Sequence, residues 1–110
     1  MNPVQFRNAT SYISGGDIEA AVTGTTIDAG QFRKGCMVAV NTGTNSPSGN
    51  IYIQHSNDDS TWVNGATAAI SGAETNLLED EVLARYIRFF YDVSSGGASA
   101  TINVTYTLKS

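Results

Sequence analysis

Residues 50–62 read NIYIQHSNDDSTW and bring the chain's one histidine and one tryptophan beside two adjacent aspartates. Side chains of these types can ligate calcium, line a sugar site or relay a proton to a nucleophile. A calcium loop needs about six to eight oxygen ligands, with acids at alternate positions and a closing Glu. Here Asp58 and Asp59 are adjacent, and the next Glu is Glu74, so no metal site is expected. A triad would have to use His55, with Asp58 or Asp59 orienting it only if the turn folds back. No motif marks a nucleophile or an oxyanion hole. Gly15-Gly16 and Gly96-Gly97 lack the Lys-Ser/Thr partner and the helix of a phosphate loop. Neither Asp92 nor Glu74 stands out as half of a glycosidase carboxylate pair. The reading is of a protein that is not an enzyme, with no catalytic residue, no cofactor and no metal.

What remains is a strand, a turn and a returning strand. Alternation points Ile51, Ile53 and His55 inward and Tyr52, Gln54 and Ser56 outward. Asn57 to Ser60 can hydrogen-bond their own backbone and so favour a turn. Trp62 begins the return and is expected to cap the end of the core.

The rest of the chain supplies similar elements. Ala100, Ile102, Val104, Tyr106 and Leu108 alternate with Thr101, Asn103, Thr105 and Thr107, as in a strand with one buried face. In 85–93, Ile87, Phe89, Tyr91 and Val93 form an apolar set opposite Tyr86, Arg88, Phe90 and Asp92. Strands are also expected at 36–42, 51–56 and 25–28, with weaker ones at 4–13, 61–63 and 66–70. Residues 74–83 (ETNLLEDEVL) read either as a helix of about three turns or as an extended acidic connector. Turn-forming clusters at 14–17, 41–50, 57–59, 71–72 and 94–97 separate these segments. The pattern defines an all-β fold: a single-domain antiparallel β-sandwich or barrel of seven or eight short strands. Residues 1–16 form an N-terminal segment, either an arm or a first strand, and residues 17–110 form the sandwich.

Composition narrows the function. A chain of 110 residues suits one domain and can bury a core without metal or disulfide. Charged residues make up 15%, against about 25% in an average protein, and Ser, Thr, Gly and Asn take their place. A surface so weakly charged suits partial coverage by other subunits. The net charge of −4 and the scattering of Arg7, Arg33, Lys34, Arg85, Arg88 and Lys109 argue against nucleic acid. No apolar run fits a signal peptide or a membrane span, so synthesis in the cytoplasm and no membrane partner are expected. Cys36 stands alone in the apolar run CMVAV and reads as a buried structural thiol rather than a nucleophile.

Several segments in order carry a resemblance: IDAG (27–30), VAVNT (38–42), IQHSNDDSTW (53–62) and ARYIRFFYDVSSGGASATINVTYTL (84–108). Together they resemble the capsid cement (decoration) proteins of tailed bacteriophages, over residues 25 to 108. The chain departs from that pattern in having Asn57-Asp58-Asp59 where a turn glycine often sits. The resemblance implies a β-sandwich of the jelly-roll type, about eight strands, that binds the outer capsid surface in the virion. Its partners would be the phage major capsid protein and copies of itself, as a homo-oligomer (dimer or trimer) on the shell. It would be made in the host cytoplasm.

Residues for such contacts follow from type and face. Tyr86, Arg88 and Phe90 come first, since aromatics and Arg are enriched at interface centres; the alternative places Phe90 in the chain's own core. Val4, Phe6, Arg7 and Tyr12 form a second group, as an arm ahead of a Gly15-Gly16 hinge or as an ordinary first strand. Tyr52, with Gln54, faces outward as well. The rival reading is a carbohydrate-binding jelly-roll module, or a phage tail or fibre component, using Trp62, Asn57 and Asp58.

Overall fold

The computed structural model describes residues 6–17, 20–42, 48–95 and 100–110. Nine strands run in chain order through them: β1 (Phe6–Asp17), β2 (Val22–Thr23), β3 (Ile27–Asp28), β4 (Lys34–Thr42), β5 (Ser48–Ser56), β6 (Val63–Ser71), β7 (Glu74–Glu81), β8 (Tyr86–Ser95) and β9 (Thr101–Lys109). They form two antiparallel sheets. One has the order β1-β9-β4-β7; the other has the order β2-β8-β5-β6, with β3 also pairing to β8. If β2 and β3 are counted as one interrupted strand, the orders become 1-8-3-6 and 2-7-4-5, the jelly-roll arrangement. The interruption takes the strand number from eight to nine. It falls at Gly24, whose backbone N–H still donates to the Phe89 carbonyl at 2.8 Å. A Cβ on Gly24 would stand 2.6 Å from the Tyr12 hydroxyl, so a larger residue there would have to displace the Tyr12 ring.

Alternation sets the core. In β4, Gly35, Met37, Ala39 and Asn41 are buried between the sheets, while Lys34, Cys36, Val38 and Val40 face out. In β9 the inward set is Ile102, Val104, Tyr106 and Leu108; in β8 it includes Ile87, Phe89 and Tyr91. The fully enclosed Tyr91 ring keeps its hydroxyl on the Ser48 carbonyl at 3.0 Å.

Two expectations are corrected, on the strands at 61–70 and on Cys36, and two open alternatives are resolved in favour of extended structure, at 74–81 and at the N-terminal segment. Residues 74–81 are a strand, β7, which pairs with β4 from Asn41↔Glu74 to Lys34↔Glu81. Thr75, Leu77, Glu79 and Glu81 face outward and Glu74, Asn76, Leu78 and Asp80 inward, a period of two that a helix does not have. The two weak strands at 61–63 and 66–70 are one strand, β6, carried through a register shift opposite Tyr52 and Gln54. Gly15 and Gly16 lie inside β1 rather than at a hinge, and Gly15 takes a positive φ of 70° within an irregular stretch of the β1–β9 pairing. Cys36 is half-buried on the outer face of β4, because Met37 and Ala39 take the inward positions.

Candidate functional site

Gln54 and His55 are consecutive in β5, so their side chains leave opposite faces of the sheet. Each anchors a polar constellation. His55 points between the sheets and is 6% exposed. Its Nε2 lies 2.7 Å from Asp80 Oδ2 in β7. The same oxygen accepts the Ala66 N–H of β6 at 2.8 Å. One carboxylate thus ties strands of both sheets together. Gly65 is a requirement of this arrangement, since a Cβ there would fall onto both the Asp80 carboxylate and the imidazole. The expectation that Asp58 or Asp59 would orient His55 is therefore corrected to Asp80. His55 also borders a cleft of about 520 Å³ that Ser56, Asn57, Val63 and Leu83 help to line.

The two aspartates of the turn are committed elsewhere. Asp58 Oδ1 accepts the N–H groups of Thr61 (2.8 Å) and Ser60 (2.9 Å) and the Ser56 hydroxyl (2.9 Å). These donors, Thr61 first, hold its carboxyl at about 2. Asp59 adopts φ 57°, the left-handed conformation that Asp tolerates better than most residues, and accepts the Thr26 hydroxyl at 2.6 Å. Asn57 Oδ1 accepts the Arg85 N–H at 3.4 Å. Among the described residues, no three His, Cys, Asp or Glu side chains converge as metal ligands.

The outward constellation forms on β5 and β8. Arg88 Nε donates to Gln54 Oε1, and Gln54 Nε2 donates to Asn64 Oδ1, each at 2.8 Å. So held, the Arg88 guanidinium lies over the Trp62 ring, 4.0 Å from its centroid. Trp62 is not part of the core; it sits on the outer face, which corrects its expected role as a core cap. Tyr52 is the cross-strand partner of Phe90, and Ser56 of Tyr86. Phe90 is half-buried and outside the hydrophobic core cluster. The Arg85 guanidinium stands 5.0 Å from the centre of the Tyr86 ring. The outer face of β5–β8 therefore gathers Tyr52, Tyr86, Arg88 and Phe90 with Trp62.

Of the N-terminal candidates, the described ones, Phe6, Arg7 and Tyr12, belong to β1 in the other sheet. Val4 lies outside the described residues. Phe6 and Arg7 pair through their backbones with Lys109 and Leu108 of β9, at the far edge of the other sheet. Tyr12 packs on the core, edge-on to Tyr106 with ring centroids 5.3 Å apart. Burial pushes its hydroxyl well above the usual tyrosine range.

Sequence reasoning missed Asp80, Gly65 and Asn64. For Asp80 a signal existed: read as a strand, 74–81 puts Asp80 on the same face as Leu78. For Gly65 and Asn64 there was none, because the register shift that positions them is a property of the β5–β6 pairing.

Fold and faces define the molecule as a jelly-roll sandwich with an ordered aromatic and arginine face on one sheet. Residues 28–110 match the family described as a domain of unknown function, DUF6385, and the chain belongs to that family. Among functionally curated proteins none matches it. Three solved structures share the fold. The SPBc2 prophage-derived protein YomS superposes with a TM-score of 0.66 at 10% identity, over 100% of this chain and 97% of that one. The PBSX exported protein XepA gives 0.67 at 15% identity, over 94% of this chain and 36% of that one. PirA gives 0.52 at 9% identity, over 100% and 95%.

Proposed function

We propose that this protein is a non-enzymatic structural component of a phage particle that binds the outside of the assembled capsid and bridges neighbouring capsid subunits. The observation that carries this reading is the outer face of β5–β8. There Arg88 is fixed over Trp62 by Gln54 and Asn64, beside Phe90, Tyr52 and Tyr86. Aromatic and Arg side chains that are already ordered lose little freedom on binding, and they are the types that dominate interface energetics. The fold shared with a prophage-derived protein and the resemblance to cement proteins support a phage setting. Mass action then supplies the mechanism: a protein that binds the assembled shell and not its separated subunits stabilises assembly. Contacts to two or three subunits at once make modest individual affinities sufficient.

The rival sugar-binding reading is weakened at its own residues. Asp58 and Asn57 are engaged in the turn and with Arg85, and Arg88 covers one side of the Trp62 ring.

The test is co-sedimentation of the purified protein with expanded, undecorated capsids, alongside the variant carrying Arg88→Ala and Phe90→Ala. The expected result is saturation at a fixed ratio to capsid subunits, with occupancy lost in the double variant. Absence of binding at any protein excess overturns the capsid assignment and favours a tail, fibre or sugar-binding role.

A further inference from the structure

The outer face of β5–β8 holds a cation that the chain fixes in place without neutralising. Arg88 Nε donates to Gln54 Oε1 at 2.8 Å, and Gln54, only 8% exposed, donates in turn to Asn64 at 2.8 Å. The guanidinium is therefore anchored on its Nε side by a nearly enclosed amide, and Trp62 covers one of its planar sides at 4.0 Å. Its other edge, Nη1 and Nη2, makes no hydrogen bond to the described residues.

Arg88 also belongs to none of the ion pairs among the described residues, which are Lys34–Glu79, His55–Asp80 and Arg85–Asp28. Acids are not scarce: ten Asp and Glu stand against six Lys and Arg. On the same face of β8, however, the exposed carboxylate is Asp92, which lies about 13 Å further along the strand. Arg85 provides the contrast. It too lies against an aromatic ring, that of Tyr86, but Asp28 supplies its carboxylate at 3.3 Å.

We infer that Arg88 is the seat for a carboxylate of the partner protein, an Asp or Glu side chain that meets the Nη1–Nη2 edge beside Trp62. The two terminal nitrogens match the two oxygens of a carboxylate, which favours a bidentate contact. Gln54 and Trp62 already hold the plane of the fork, so little freedom is lost on this side when the contact forms. Phe90 and Tyr52, paired across the strands next to Gln54 and Arg88, would exclude water from it once the face is covered, and such shielding raises an ion pair above the worth of an exposed one. A doubly charged phosphate would meet a single unmatched cation here, since Arg85 is already paired. The inference deepens the capsid reading and rests on it for the partner's identity: the carboxylate would belong to a capsid subunit.

Co-sedimentation with expanded, undecorated capsids at low and high salt tests this. Arg88→Gln is expected to weaken binding about tenfold at low salt and to reduce its response to salt. Phe90→Ala should weaken binding with the salt response intact. Arg88→Lys keeps the charge without the fork and should recover only part of the affinity. All three should retain the wild-type circular dichroism spectrum. Wild-type affinity in Arg88→Gln or in Arg88→Lys overturns the carboxylate seat, while loss of binding in Phe90→Ala would leave the capsid reading standing. A wild type that does not bind the shell at any excess overturns the capsid reading. The seat is then decided on the free protein by the emission of Trp62, the chain's one tryptophan, during titration with an oligoglutamate peptide. A saturable change that Arg88→Gln abolishes and inorganic phosphate at equal ionic strength does not reproduce upholds it. No change, or the same change with phosphate, overturns it.

Discussion

Gln54 and His55 are neighbours in the chain, and each nucleates a polar cluster, yet the two clusters do opposite things. The His55 cluster is closed. Its partner Asp80 comes from the other sheet and spends its second bond on the Ala66 backbone, so the group acts as a rivet through the sandwich. The Gln54 cluster is open. It stays within one sheet, and its last member, Arg88, stacks on a half-exposed indole. Gln54 and His55 are both buried, at 8% and 6% exposed, so the difference that matters is the partner at the end of each cluster. Asp80 stands between the sheets, where its removal leaves polar groups unpaired, whereas Arg88 and Trp62 are half-exposed and water can take the place of the guanidinium. The first cluster therefore belongs to stability and the second to recognition.

Asp80→Ala should break the comparison most sharply. It strands His55 Nε2 and the Ala66 N–H inside the sandwich, and a loss of about 3 kcal/mol is expected, read from the urea midpoint at constant m-value. A loss under about 1 kcal/mol would show that the rivet contributes little. Arg88→Ala should cost less, about 1 kcal/mol by the same measurement, since Arg88 and Trp62 are half-exposed, their contacts lie within one sheet, and truncation opens Gln54 Oε1 to water. A larger loss would make the outer cluster structural and remove the argument for a binding face.

Asp58, three residues beyond His55, gives the smallest effect and a distinct pH signature. Its carboxyl falls from 3.8 to about 2 on folding, so the ionised form favours the fold. That contribution is complete above about pH 4 and is lost as the pH drops through about 2. Thermal unfolding of the wild type and of Asp58→Asn, followed from pH 6 to pH 2, should converge at the acid end. Parallel curves would show that the turn does not depend on this charge.

Much of the fold was legible because its period is two. The faces of 85–93 and 100–108 follow from Ile87, Phe89, Tyr91, Ile102 and Val104 with no tertiary information, and the outward set Tyr86, Arg88 and Phe90 follows from the same rule. Residues 74–83 were ambiguous because acidic side chains at both inward and outward positions blur the alternation, and the half-buried Asp80 is tolerated on the inward face because His55 is there to meet it. Trp62 was misplaced for a related reason: an indole next to a turn fits a core end as well as an outer face. Only the geometry of Arg88 above it decides.

The sequence by itself determined most of the strands, the buried faces of β4, β8 and β9, and the polar turn at Asn57–Ser60, because each depends on side-chain period and on hydrogen bonds between near neighbours. The tertiary structure decided the rest. Jelly-roll pairing brings Asp80 to His55 from 25 positions away, and the shift between β5 and β6 sets Gly65 and Asn64. None of these is local, since each depends on which strands become neighbours and in what register, and that is settled by packing the two sheets against a common core.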